Sequence, residues 1–126
     1  MAIEKKIKNI LNFSSQERYD YFIRKAVDFE KVWGLYNNGW ATSKFNEDYV
    51  IPFWPEKIFA ELCANNEWEG YTPKFLSLKV FMEKWIIGMQ QDSYGALIFP
   101  IPNGQGILVP LHILKEDLLN EQEQYE

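Results

Sequence analysis

Any chemistry in this chain would have to come from a small set of side chains. It has one histidine, His112, and one cysteine, Cys63. His112 stands among Leu111, Ile113 and Leu114 at an expected helix start, where a structural or capping role is favoured over proton transfer. Cys63 shares an apolar helix face with Phe59 and Leu62. It reads as a buried small hydrophobe rather than a nucleophile. One ligand of each kind, far apart in sequence, has no metal-site spacing. Asn46-Glu47-Asp48 is too short to resemble a calcium loop. No metal and no cofactor is therefore expected. Gly104-Gln105-Gly106 lacks the third glycine, the lysine and the following helix of a phosphate loop, so it reads as a hairpin turn. No serine sits in a G-x-S-x-G elbow. The carboxylate pairs Glu47/Asp48 and Glu67/Glu69 lie in polar loops, where solvation explains them as well as acid–base work does. No catalytic residue is assigned, and a non-enzyme is the favoured reading.

The aromatic residues form the richer constellation. Phe, Trp and Tyr make up 17% of the chain, and three of its five tryptophans, Trp33, Trp40 and Trp54, fall between Val32 and Pro55. Most rings must enter the core, because each hides a large apolar area. The remainder would be contact residues, since tryptophan and tyrosine supply area with little entropy loss. Trp33, Trp40, Trp54, Trp68 and Tyr71 are the candidate binding residues, and Trp85 reads as core. Strand alternation places Trp33 and Leu35 on one side of their strand and Val32 and Tyr36 on the other.

Length and charge narrow the classes further. At 126 residues and 47% hydrophobic, the chain can bury a core without disulfides or a metal. A single domain over 1–126 is expected. The net charge is -5, and residues 115–126 hold five acids (Glu116, Asp117, Glu121, Glu123, Glu126) against one base, Lys115. The acidity therefore belongs to the tail. Lys5, Lys6 and Lys8 make the one basic cluster and read as a solvated helix face, so no nucleic-acid partner is expected. No apolar run is long enough to span a membrane, and the N-terminus lacks the apolar core of a signal peptide. A lone cysteine fits a reducing compartment. A cytoplasmic protein without a membrane partner is expected.

These residues need elements to position them. Ile3, Ile7, Ile10 and Leu11 space a first helix within 1–13. Ser14 and Glu17 have the form of a capping box ahead of a helix carrying Tyr19, Phe22, Ile23, Ala26 and Val27. Val32 to Tyr36 and Trp40 to Ser43 read as a hairpin about Asn37-Asn38-Gly39. Phe45 to Asp48 reads as a loop. Tyr49 to Trp54 reads as a third strand, with Pro52 marking an edge or an end. Pro55 opens a helix, Trp68 to Phe75 is irregular or a short strand, and Ser77 caps the strongest helix. Tyr94–Ile101 and Gly106–Leu111 form a second hairpin. A last helix from Ile113 frays into the acidic tail. Hairpins grouped between helices predict an α+β fold, an antiparallel sheet of about five strands with helices packed on it.

In order along the chain stand Trp33-Gly34-Leu35, Gly39-Trp40, Pro52-Phe53-Trp54-Pro55, Trp68, Gly70-Tyr71-x-Pro73, and Leu78 with Phe81 and Trp85. In this combination the chain resembles an uncharacterised bacterial family, domain of unknown function 2750, over roughly residues 14 to 119. The resemblance implies a small bacterial intracellular protein. It implies no activity, cofactor or site residue.

The expected function is a small interaction module, of the kind that neutralises a partner protein as bacterial immunity proteins do. Its contact surface would lie near the aromatic hairpin and the Pro52–Pro55 corner, and its acidic tail would steer a basic partner. The alternative is a small-molecule binder or enzyme with a pocket lined by Trp33, Trp54, Trp68 and Tyr71, helped by Glu47, Asp48 or Glu69. A homodimer joined through its own aromatic face is a third reading.

Overall fold

A computed structural model of the protein describes residues 2–124. Met1 of the expected first helix and Glu126 of the acidic tail lie outside the described residues. The elements are α1 (Ala2–Leu11), α2 (Ser15–Phe29), β1 (Lys31–Tyr36), β2 (Ser43–Phe45), β3 (Asp48–Phe53), α3 (Lys57–Leu62) and a 3₁₀ turn at Asn66–Trp68. There follow β4 (Thr72–Ser77), α4 (78–91), β5 (Gly95–Ile98), β6 (Ile107–Val109) and α5 (Leu111–Glu123). Within α4, Leu78–Val80 and Ile86–Gln91 are α-helical and Phe81–Trp85 forms a π turn.

The helix starts follow their caps. The Glu17 amide donates to Ser14 Oγ (3.1 Å) and the Ser14 amide to Glu17 Oε1 (2.8 Å), which closes the capping box. Ser77 Oγ accepts from the Val80 amide at 3.1 Å and starts α4. Pro55, expected as the first helical residue, instead precedes the N-cap Glu56. The last helix persists to Glu123, so most of the acidic segment is helical. Its Leu114 and Leu118 are fully buried. Burial of a leucine contributes about 2 kcal/mol. Tyr19 Oη on α2 donates to Asp117 on α5 at 2.5 Å, a polar bond at the margin of that apolar contact.

The strands depart from the expected single antiparallel sheet. β1 and β4 form a two-stranded antiparallel ribbon, and a mixed four-stranded sheet runs β2-β3-β5-β6. β3 and β5 are parallel. The crossover between them contains α3, β4 and α4, and the intervening strand hid it from a reading that looked for simple βαβ units. β4 starts inside the Trp68–Phe75 segment, read as irregular or a short strand, and runs on to Ser77. The partner of β1 is β4 and not Trp40–Ser43, which keeps one bridge, Tyr36↔Trp40. Phe45–Asp48, expected as a loop, is instead the tight end of the β2–β3 hairpin, with Asn46 left-handed at φ 59°. The β5–β6 hairpin matches expectation, with Ala96 opposite Val109.

Pro52 sits in the interior strand β3 and still blocks no ladder bond. Phe53 O accepts from Phe99 N on the β5 side, and Trp54 exchanges backbone bonds with Trp33 on the other side. Strand alternation turns Pro52 toward that second side, where β2 has ended and β1 has not yet joined. The Trp33–Trp54 pair (2.9 and 2.8 Å) ties the ribbon to the larger sheet.

Phe99, just after β5, has φ 54°, a left-handed conformation that costs a bulky residue about 1–3 kcal/mol. Its fully buried ring packs on Phe59 at 4.9 Å. The Pro100 carbonyl accepts the Trp54 indole N–H at 2.8 Å and the Cys63 thiol at 3.3 Å. The loop after Pro100 is tied at Gln105 by Arg18, which is only 6% exposed. Arg18 donates to Gln105 O at 2.8 Å and Phe13 O at 3.3 Å, and its Nε has no partner. Burial pulls the guanidinium below its ordinary pKa.

The clamp gives a measurable expectation. Arg18→Ala should lower the unfolding free energy by about 2–3 kcal/mol, because both carbonyls lose their donor. Urea unfolding at constant m-value reads this directly. An unshifted midpoint would mean that solvent satisfies the loop without Arg18.

Candidate functional site

Tyr36, Trp40 and Trp85, all half-exposed, form a row along one side of the ribbon that continues along α4. Their arrangement starts at Gly34. A Cβ on Gly34 would lie 3.0 Å from Trp40 Cζ3, so the Trp40 ring rests against bare backbone. Two residues along β1, Tyr36 meets Trp40 with centroids 5.2 Å apart and planes at 76°. Lys74 is the cross-strand partner of Gly34. Its Nζ stands 4.1 Å from the Tyr36 ring centroid and 5.5 Å from that of Trp40. Trp85 closes on the far side of Trp40 at 5.0 Å and 84°. It comes from the π turn, which shifts the side-chain register between the two halves of α4. Phe81 and Trp85 both contact Phe53 beneath (4.9 and 6.1 Å).

Past Trp85 a cleft of about 400 Å³ is lined by Ile51, Lys84, Trp85, Met89, Asp92 and Tyr94. Tyr94 stacks on Tyr49 (6.0 Å, 25°), and Lys44 Nζ lies 5.6 Å from the Tyr49 ring centroid. Among the described residues the ion pairs join Lys6 to Glu56, Lys25 to Asp28 and Lys57 to Glu61. Lys44, Lys74 and Lys84 enter none of them. The row is thus locally cationic in a chain of net charge -5, with Asp92 as the acid in its cleft.

The five candidate binding residues do not share one surface. Trp40 lies in the row. Trp33 faces the other side of the ribbon, 5.4 Å from the exposed Phe75, over which Lys31 lies at 4.6 Å. Trp54 is fully buried, with its indole N–H held by Pro100. Trp68 is nearly buried, edge-on to Trp54 at 5.9 Å, and donates its indole N–H to Thr42 O at 3.2 Å. Tyr71 packs half-buried against the core. Five of the clefts on the described surface have volumes of about 240–710 Å³. Of Trp33, Trp54, Trp68 and Tyr71, Trp68 alone lines any of them, beside Cys63 and Pro100. Asp48 lines a separate one with His112, and Glu47 and Glu69 line none of the five.

Tyr36, Lys74, Trp85 and Tyr94 escaped the sequence reading. Trp85 continues an apolar helical stripe, and nothing in the stripe marks a π turn. Lys74 fell in a segment read as irregular or a short strand. The available signal was Gly34, a glycine inside a strand, which marks a close approach. Cys63 is buried, and burial pushes its thiol up to about 11, so it is a neutral thiol at pH 7. Among the described residues no three His, Cys, Asp or Glu side chains group to hold a metal, and no helix is long and apolar enough to cross a membrane.

Residues 19–118 match a family model described as "Protein of unknown function (DUF2750)". No curated protein matches the chain.

Two outcomes follow from the geometry. Gly34→Ala should push the Trp40 ring by a few tenths of an ångström, cost about 1 kcal/mol, and change the near-UV circular dichroism of the Trp40–Trp85 pair. An unchanged spectrum would mean that Trp40 does not rest on Gly34. Cys63 should resist alkylation at pH 8 until the protein unfolds. Its raised pKa adds stability that is complete below the ordinary thiol range and is lost as pH climbs through about 11. Fast native-state alkylation at pH 8 would contradict both statements.

Proposed function

The chain belongs to the DUF2750 family of unknown function, and from that footing we propose that it is a protein-interaction module binding through Tyr36, Trp40 and Trp85. The carrying observation is that these three rings interlock edge to face at 5.0–5.2 Å while remaining half-exposed. Rings already fixed by one another lose little entropy when a partner covers them, and such residues dominate binding energies. Trp33, Trp54, Trp68 and Tyr71 support the scaffold in this reading, and Trp40 alone of the five touches the partner. We place the protein in the bacterial cytoplasm, with a free, buried Cys63. An immunity-like role, in which this small acidic protein neutralises another protein, is the concrete form. A homodimer joined through the same rings would be the self-directed version of that contact.

The cleft between Trp85 and Tyr94 favours one second reading, a small-molecule binder. Its volume of about 400 Å³ lies within the ordinary range of ligand sites. Quenching of Trp85 emission by one member of a metabolite panel would support it.

The main reading is tested by capture from lysate of the source organism. Wild type should retain one stoichiometric protein that Trp40→Ala loses and Phe75→Ala, on the opposite face, retains. Circular dichroism must show both variants folded. Equal retention by Trp40→Ala would remove the row as the contact surface, and sedimentation would show whether the captured protein is a second copy of the chain.

A further inference from the structure

Resting on that reading, we infer that the row receives an acidic peptide segment of a partner protein, with apolar side chains packing on the half-exposed rings and carboxylates meeting Lys74, Lys84 and Lys44. Charge placement carries the inference. Lys74 is held over Tyr36 and Trp40 at one end of the row, Lys44 over Tyr49 at the other, and Lys84 stands at the cleft between. None of the three enters an ion pair among the described residues, a property shared with Lys31, Lys79 and Lys115, so their place along the row is what sets them apart. A lysine held against a ring has already given up part of its rotamer freedom, so a carboxylate reaching it orders less. Asp92 is the acid that lines the cleft, and it leaves the lysines in excess. The tail acids Glu116, Glu121 and Glu123 belong to α5, which contributes no residue to the row. A basic segment steered by that tail would therefore have to dock elsewhere.

The geometry also favours a peptide over a single-stranded nucleic acid. Base stacking needs successive open ring faces. Here Tyr36 and Trp40 meet at 76° and Trp40 and Trp85 at 84°, so each ring presents an edge to the face of the next. The half-exposed outer surfaces of such rings suit apolar side chains laid against them. The cleft past Trp85, at about 400 Å³, accepts one large side chain.

The test uses three fluorescein-labelled octapeptides on the full chain: Glu-Glu-Phe-Pro-Leu-Phe-Glu-Glu and its all-Gln and all-Lys counterparts at the Glu positions. Anisotropy should show the acidic peptide binding about tenfold tighter than the Gln form at low salt, with the Lys form weakest. That preference should shrink at high salt and vanish in the double variant Lys74→Glu/Lys84→Glu, whose exposed substitutions leave the core untouched. Trp40→Ala should weaken all binding. Equal binding of the acidic and Gln peptides, both lost in Trp40→Ala, would overturn the acidic preference and leave the interaction surface standing. Tighter binding of a thymidine oligonucleotide than of the acidic peptide would overturn it in favour of nucleic acid. Binding by none of the three peptides would overturn the inference alone, because lysate capture judges the surface separately.

Discussion

The carbonyl of Pro100 is the point on which the architecture turns. It receives the indole N–H of Trp54 from the end of β3 and the thiol of Cys63 from the end of α3. Phe99 must adopt a left-handed backbone next to it. That cost is offset by the burial of its ring against Phe59 and Tyr21. Fixing Trp54 in turn fixes its backbone bonds to Trp33, and so the angle at which the ribbon meets the sheet. Three distant segments are locked by one acceptor.

The half-exposed row inherits its precision from that lock. Gly34 lies one residue beyond Trp33 and presents bare backbone to Trp40. The α4 helix packs Phe81 and Trp85 onto Phe53, one residue before Trp54. Trp40 and Trp85 therefore approach each other from two elements that the same corner aligns. Even so packed, Tyr36, Trp40 and Trp85 remain partly open to solvent. A rigid, partly uncovered aromatic group is a costly thing to leave in water, and that cost is the physical reason to assign it a role.

Much of the fold was legible where local chemistry decides. Ser14 and Glu17 announced a capping box, Ser77 a helix start, and the apolar spacing of α2 and α4 named their buried faces. The strand pairing was not legible, because pairing is decided by tertiary contacts. The Asn-Asn-Gly turn suggested a hairpin, but Trp40 lies across Gly34 and the chain leaves the ribbon after one bridge. The parallel pairing of β3 with β5 depends on a crossover that no local pattern marks. Of the site, Trp40 could be found by residue type. Trp85 could not, since a π turn changes which side of a helix a residue faces without changing its hydrophobic spacing.

Among the described residues the outer edge of β4 pairs with no other strand. Leu78 donates to Glu30 O on the β1 side, so alternation turns the backbone of Ser77, Phe75 and Pro73 outward. Pro73 has no N–H to offer, which leaves donors at Phe75 and Ser77 alone on that edge. An incoming strand from an unfolded neighbour would find a broken template, with the charge of Lys74 beside the gap. The ribbon that displays the aromatic row is thereby guarded against edge-to-edge aggregation, the failure to which an exposed strand beside exposed rings is most prone.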